Sequence, residues 1–439
     1  MRKIFLTLFI VALMASYTSN AYAQLPQVLP DCSYILIDSK TGQVIAEYNA
    51  DVKHRPASTT KIMTAIVALE NGELDSKMNV SAEAVYGIGP GGMNIGIMPQ
   101  EDNLTLENLL NVMLIKSANE TANIISENIL GSKDEFMARM NSKAVEIGAL
   151  NTNFVNPCGK DDLKIEADHL STARDMALIA RYGMTIPKFR EIVAKEYYNE
   201  LPVTNKHDKW DELRTTNKLL WYSNKYDYSR DGQKKQYEVT GIKTGFTSAA
   251  GFNLICSAVD EDGMELIAAI LHVTEGNNRI NTYAKQLFRH GFETYSNQTI
   301  VSGNQLIKSI DIKDAKDNKR LDLLTGKDLI CAMPLDESSK NIETSEIINE
   351  DIEAPVKKGD VLGYVEYKRG GVLLGKVDLV ASFDIEKAGK AVIQDKTQSI
   401  LGKIPFLKIM LVLFIIAAVL LVIRILVYNL IIKHKRFHN

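Results

Sequence analysis

Most of the features that place a chain at sight are missing from this one. Its four cysteines, Cys32, Cys158, Cys256 and Cys331, are too few and too scattered over 439 residues for a disulfide scaffold. None stands in a Cys-x-x-Cys pair, so no metal or redox motif is expected. Lys and Arg (51) do not outnumber Asp and Glu (54), the net charge is −3, and no segment interleaves basic with aromatic residues, which excludes a nucleic-acid surface. No internal repeat is found, against solenoids and propellers. The glycines at 87, 89, 91, 92 and 96 have no Gly-Lys-Ser/Thr ending and no strand ahead of them, so they read as a flexible loop over a site and not as a phosphate loop.

Long apolar runs occur only at the two ends. Residues 1–23 carry Arg2-Lys3, an apolar run and a polar stretch closing on Ala21-Tyr22-Ala23, the pattern of a secretory signal with a mature start near Gln24. Cys32 lies well past that run, against a lipid-modified N-terminus. Residues 405–432 are apolar apart from Lys408, Arg424 and Asn429, longer than the roughly 20 residues a spanning helix needs. Lys408 and Arg424 make no polar face, and Lys433-His434-Lys435-Arg436 follow, so a single span with a basic cytoplasmic tail (433–439) is expected. The rest divides into 24–296, a second domain of short β-like runs at 297–390 and a linker at 391–404.

Within 24–296 the organising stretch is Ala57-Ser58-Thr59-Thr60-Lys61. Ile62, Ala65, Ile66 and Leu69 recur at helical spacing behind Pro56, which predicts a helix from about Ser58 with Ser58 and Lys61 on one face. A serine at a helix start, beside an amine desolvated enough to be neutral, is a nucleophile with its base. The pattern alone also fits an N-cap serine and a solvated lysine. It occurs once in the chain, and its companions follow in order. Ser117-x-Asn119 falls on a turn between helices predicted at 105–115 and 120–129, where polar side chains can face a cleft. Lys243-Thr244-Gly245, at the edge of a strand, supplies a cation, a hydroxyl and room for close approach, which suits a substrate carboxylate. The same tripeptide at Lys40-Thr41-Gly42 sits in the turn of a hairpin at 33–48 and reads as structural.

Other elements read as amphipathic helices at 134–147 and 171–182, the latter opened by a Ser171 cap, a polar surface excursion over 186–238, a strand pair at 251–259 and 265–273, and a closing helix at 277–295.

Taken together, Ser58-x-x-Lys61, Ser117-x-Asn119 and Lys243-Thr244-Gly245 resemble the signature set of penicillin-binding proteins and serine β-lactamases. RPASTTKIMT at 55–64 and GIKTGFTSAAGFNL at 241–254 look like the low-molecular-weight D-alanyl-D-alanine carboxypeptidases, a resemblance covering residues 30–295. It implies an α/β fold of the α+β type: a β-lactamase-like, transpeptidase-like domain with an antiparallel sheet flanked by helices, then a small β-rich domain. It also implies acyl transfer on peptidoglycan stem peptides and penicillin binding, with no cofactor or metal. On this footing Ser58 attacks the penultimate D-alanine carbonyl with Lys61 as base. Ser117 relays a proton, Asn119 holds the substrate amide, Lys243 and Thr244 with Gly245 take the terminal carboxylate, and the Ser58 and Phe246 amides form the oxyanion hole. The chain departs from relatives that have His at Phe246 and His-Gly at Cys158-Gly159, which leaves that loop's contribution in doubt, with Cys158 expected as a half-buried inert thiol. No Glu-x-x-Leu-Asn lies between Ser117 and Lys243. Glu166-Ala-Asp-His-Leu170 misses the spacing, which argues against the β-lactamase alternative. A DD-endopeptidase and a non-catalytic wall-binding protein stay open.

Overall fold

The structure is a computed structural model that describes residue 25 and residues 31–89, 91–161, 168–316, 320–336, 341–388 and 406–435. The signal segment at 1–23, the linker at 391–404, residues 436–439 of the basic tail and Glu166 lie outside them.

Six antiparallel strands form the main sheet: β1 (Ser33–Asp38), β2 (Val44–Tyr48), β5 (Lys225–Arg230), β6 (Gln233–Thr247), β7 (Gly251–Asp260) and β8 (Glu265–Val273), in the order β2-β1-β8-β7-β6-β5. Side chains alternate across a strand, and here the two faces feed two cores. Ile35 and Ile37 of β1, Ile255 of β7 and Ile267, Ala269 and Leu271 of β8 enter one. Tyr34, Leu36, Leu254, Cys256, Leu266 and Ile270 enter the other. Both faces being covered explains why β1 reads as an unbroken apolar run rather than an alternating one.

The first core is helical. It gathers α1 (Lys61–Asn71), α2 (Ala82–Tyr86), α3 (Leu106–Ile115), α4 (Asn119–Asn128), α5 (Lys133–Ile147), α6 (Ala173–Gly183) and α7 (Pro187–Val193) on one face of the sheet. On the other face, α8 (Asn277–Thr294) lays Ile280, Ala284, Leu287 and Phe288 on β7 and β8. Every residue of α1 from Lys61 to Ala68 is buried, so this stretch is covered all round, as a helix inside a core is. A short ladder, β3 (Tyr197–Tyr198) with β4 (Leu213–Arg214), follows α7.

Three local expectations are corrected. The helix does not start at Ser58: Ala57–Thr60 is a 3-10 turn, with Thr59 N–H donating to the Pro56 carbonyl at 3.2 Å, and α1 proper begins at Lys61. α6 is capped by Thr172, whose hydroxyl accepts from Asp175 N–H, while the Ser171 backbone pairs with His54. The polar stretch over 186–238 is no surface excursion. It contains α7 and the β5–β6 hairpin, whose inner face puts Tyr228, Tyr237 and Val239 into the second core while Lys225, Asp227, Ser229 and Gln236 face out.

Beyond α8, β9 (Tyr295–Val301) pairs with β12 (Leu329–Pro334), and β10 (Leu306–Asp311), β11 (Arg320–Thr325), β15 (Val372–Ala381), β14 (Val361–Arg369) and β13 (Glu343–Ile348) form a five-stranded sheet in that order, antiparallel from β11 to β13. An α+β chain with antiparallel sheets and a β-rich C-terminal part agrees with the expected fold class. By packing the chain has two units. One is Met1–Lys308, Asp322–Glu350 and Gly359–Ser382; the other is Ser309–Leu321, Asp351–Lys358 and Phe383–Asn439. In the second, Lys313 pairs with Glu353 at 2.7 Å and Lys316 with Glu386 at 2.8 Å. It also holds α9 (Phe406–Lys435), whose apolar stretch Ile409–Leu430 is 22 residues, about 33 Å of helix against a hydrocarbon core of about 30 Å.

Candidate active site

Pro56 ends the incoming chain and Ala57, at φ 48, turns it, so that Ser58 is presented partly exposed on the 3-10 turn while Thr59, Thr60 and Lys61 go inside. Two glycines let other segments close on this turn. A Cβ on Gly245 of β6 would sit 2.9 Å from the Pro56 carbonyl and 3.1 Å from Ser58 N, and one on Gly159 would sit 1.8 Å from the Ala57 carbonyl. Only residues without a side chain bring the strand edge and the loop this near.

One helical turn on, the Lys61 ammonium is fully buried and donates three hydrogen bonds: to Ser58 Oγ at 3.0 Å, Asn119 Oδ1 at 2.6 Å and the Cys158 carbonyl at 2.6 Å. Burial pulls its pKa to about 8 against the opposing pull of nearby acidic groups, Glu120 among them. The downward shift makes a neutral Lys61, able to accept the Ser58 proton, accessible near neutral pH.

Ser117 and Asn119 arrive from the α3–α4 turn as expected. Ser117 holds φ 69, an uncommon conformation for a residue with a β-carbon, and both side chains are nearly buried. Together with Ser58, Thr216, Thr244 and Phe246 they line a cleft of about 410 Å³. The glycine-rich loop forms its wall through Gly91, Gly92 and Met93, as a loop over a site should.

The Lys-Thr-Gly edge is only partly as expected. Thr244 and Gly245 line the cleft, but Lys243 does not: it is 1% exposed behind them, and its amine donates to the Thr244 carbonyl at 3.0 Å. Burial, then the Lys61 charge, hold its pKa well below the usual value. Cys158 is buried and not half-buried, with Sγ donating to Asn156 Oδ1 at 3.5 Å. Its loop contributes a main-chain acceptor to Lys61. The Lys40-Thr41-Gly42 copy is a hairpin turn, where Thr41 Oγ1 donates to Asp38 Oδ2 at 2.6 Å and Lys40 to the Ile330 carbonyl at 2.5 Å.

Two participants escaped the sequence. Thr216, from a polar stretch without pattern, shares a 2.6 Å hydrogen bond with the Thr244 hydroxyl. Glu120 is 1% exposed; its Oε1 accepts Ile95 N–H at 2.7 Å, while Asn119 N–H donates to the Met93 carbonyl at 2.8 Å, so α4 grips the glycine-rich loop twice. Burial raises the Glu120 pKa. The Ser-x-Asn-acid order could have drawn notice to it. His169 is structural: Nδ1 accepts Val155 N–H at 3.0 Å, which leaves Nε2–H to donate to Thr60 Oγ1 at 2.8 Å, and burial lowers its pKa to about 4. A larger cavity, about 720 Å³, is lined by Ser39, Lys40 and Thr185 but by none of the sequence-predicted site residues, and its Arg190 and Glu265 pair with each other at 2.6 Å.

A buried, partly neutral amine on a serine at a cleft wall is an acyl-transfer arrangement. Known proteins agree. The profile described as D-alanyl-D-alanine carboxypeptidase matches residues 21–275, and that of the penicillin-binding protein 5 C-terminal domain matches 295–387. D-alanyl-D-alanine carboxypeptidase DacF of Bacillus subtilis is 28% identical over 400 residues, 89% of this chain and 96% of its own. DacB2 of Mycobacterium tuberculosis is 31% identical over 266 residues, 60% of this chain and 82% of its own. The crystal structure of penicillin binding protein 5 from Haemophilus influenzae superposes with a TM-score of 0.63 at 23% identity, covering 83% of this chain and 99% of its own, which shows a shared fold.

Proposed function

The chain belongs to the D-alanyl-D-alanine carboxypeptidase family, and from that premise we propose that it works through an acyl-enzyme on Ser58. It is a serine D-Ala-D-Ala carboxypeptidase of the low-molecular-weight penicillin-binding protein type, a cell-wall enzyme of a family in which β-lactam binding is typical.

Neutral Lys61 would take the Ser58 proton as Oγ attacks the carbonyl carbon of the penultimate D-alanine. The oxyanion would rest on the Ser58 and Phe246 amides. As the C–N bond breaks, Ser117 would pass its proton to the leaving amine and take in exchange the one held by Lys61, which is neutral again as free D-alanine departs. Water then attacks the ester, its proton returning by way of Lys61 to Ser58 Oγ. Asn119 would orient both Lys61 and the substrate amide, while Thr244, steadied by Thr216, and Gly245 would receive the terminal carboxylate. An anion there would favour the charged form of Lys243 that burial and Lys61 oppose. The observation that supports this reading above the others is the buried Lys61 amine 3.0 Å from Ser58 Oγ with its pKa drawn to about 8.

The apolar C-terminal helix suggests membrane anchoring. We further propose residues 1–23 as a cleaved signal, 24–296 as the catalytic domain outside the cytoplasm, 297–390 as a spacer or interaction module, and 405–432 as a single span with its basic end inside. Digestion of the catalytic domain by protease added to wall-stripped cells, with the C-terminal tail protected, is the expected result. Protection of both would overturn the topology.

The test of the chemistry is to incubate the full chain, purified in detergent, with a stem pentapeptide ending in D-Ala-D-Ala, and to measure free D-alanine and fluorescent-penicillin labelling for wild type and Ser58→Ala. Both signals should vanish in the variant. D-alanine release that survives the substitution would remove Ser58 from the role.

A further inference from the structure

The proposed reaction gives the cleft a direction. With the terminal carboxylate received at Thr244 and Gly245 and the oxyanion at the Phe246 amide, the leaving D-alanine lies on the Thr244 side. The acyl part of the substrate then runs on past Phe246 toward Thr247, which is about 10 Å of strand beyond Thr244. Whatever stands at that end can read the rest of the stem peptide.

Lys160 stands there. It lines the cleft together with Gly159 and Thr247, and the next residue, Asp161, accepts the Thr247 hydroxyl at 2.7 Å. Its main chain is set by Asn156, whose Oδ1 accepts Gly159 N–H at 2.7 Å and whose Nδ2 donates to the Lys160 carbonyl at 2.8 Å. The side chain is half-buried and crosses to the glycine-rich loop. There the ammonium donates to the Ile88 carbonyl, and a Cβ on Gly89 would sit 3.2 Å from Nζ. Both ends of this lysine are therefore held in place at the cleft wall.

Its charge is left for something else. Among the described residues no carboxylate lies within ion-pair distance of it, and its hydrogen-bond partner is a neutral carbonyl, which uses one of three donors. The adjacent carboxylate, Asp161, is turned to Thr247 and to Arg55, 3.8 Å away. Lys61 and Lys243 are enclosed, so among the described residues Lys160 is the only cation that lines the cleft. An ammonium fixed at a half-buried wall favours an anion beside it and selects against a partner without one.

We propose that Lys160 is a specificity-determining residue, binding a carboxylate on the acyl part of the stem peptide, so that the enzyme prefers stems that carry one there. This deepens the carboxypeptidase reading and rests on it. Wall stem peptides offer such a carboxylate from two sources: the free α-carboxyl of a γ-linked D-glutamate at the second position, and the side-chain carboxyl of a diaminopimelate at the third.

The test gives the full chain, in detergent, four pentapeptides ending in D-Ala-D-Ala, with glutamate or isoglutamine second and diaminopimelate or lysine third, and measures kcat/KM from released D-alanine. Wild type should favour a carboxylate-bearing stem over the isoglutamine–lysine stem about tenfold. The position whose charge carries the advantage identifies the source. Lys160→Met should bring the ratio to about one and Lys160→Arg should keep it, and in wild type it should shrink in about 1 M salt, where charges are screened within ~3 Å. Equal kcat/KM for all four peptides by wild type overturns the proposal. So does a Lys160→Met variant that slows all four alike, which is what a mere tie between the two loops would give. Should wild type release D-alanine from none of them, the carboxypeptidase reading fails and penicillins decide the residue instead. The acylation rate of a benzylpenicillin bearing an α-carboxylate on its side chain, relative to benzylpenicillin itself, should then fall about tenfold in Lys160→Met and recover in Lys160→Arg; an unchanged ratio overturns the role of Lys160 as well.

Discussion

The chain spells Lys-Thr-Gly twice, and the two copies do different work. At residues 40–42 the tripeptide closes a hairpin: the threonine hydroxyl caps Asp38 and the lysine reaches a main-chain carbonyl of β12. At residues 243–245 it lies on β6 against the Ser58 turn, the lysine is enclosed, and the threonine and glycine face a cleft. Composition is identical, so what separates them is which surface the neighbouring backbone presses against. A motif is a chemical inventory until a second element supplies its partner.

The contrast can be broken most violently at Gly245. A Cβ there meets backbone of the Ser58 turn, which cannot swing aside, so Gly245→Ala should slow penicillin acylation by roughly 100-fold, given what displacements of about 1 Å cost elsewhere, as stopped-flow labelling would measure. Next come the paired threonines. With Thr244 donating to the substrate carboxylate as proposed, Thr244→Val should lower kcat/KM for the pentapeptide ~30-fold, about 2 kcal/mol. Thr41→Val should leave kcat/KM alone and lower unfolding free energy by about 1 kcal/mol in urea melts. Equal effects at the two threonines would erase the distinction between the copies.

The lysine of the nucleophile helix sharpens the comparison through pH. With Lys61 as the proposed base, acylation needs its neutral form, so the rate should climb with pH through about 8 and level off above it. Glu120→Gln removes a negative charge that favours the ammonium, so the Lys61 pKa drops and the whole profile moves toward lower pH. An unmoved profile would show that the carboxylate acts only by holding the loop. The smallest effect is expected at Cys158→Ala, which should acylate within about twofold of wild type, because the loop serves Lys61 through a carbonyl that any residue provides.

These expectations also trace what the sequence could reveal. Ser58, Lys61, Ser117 and Asn119 were legible because a three-residue spacing at the entry to a helix and a turn between two buried helices set where these residues lie. The six-stranded sheet was legible in its apolar strands, β1, β7 and β8. Its polar edge was not: residues 225–238 alternate charged side chains with tyrosines, and a half-buried strand written that way looks like surface. In the sequence Lys243 is a cation at a strand edge, suited to a carboxylate; only the fold shows it enclosed. Thr216 and Glu120 act through contacts to distant segments, Thr244 in one case and Ile95 in the other, and no local pattern announces such a pair.

The nucleophile helix has one more consequence. Since Lys61 to Ala68 are covered on every side, that segment is expected to open only together with the elements packed around it. Its amide hydrogens should exchange with deuterium only when the whole domain unfolds, and heat should extinguish penicillin labelling in the same transition that melts the sheet. The antibiotic, in that sense, is a thermometer for this chain: a molecule that takes the label has its centre intact.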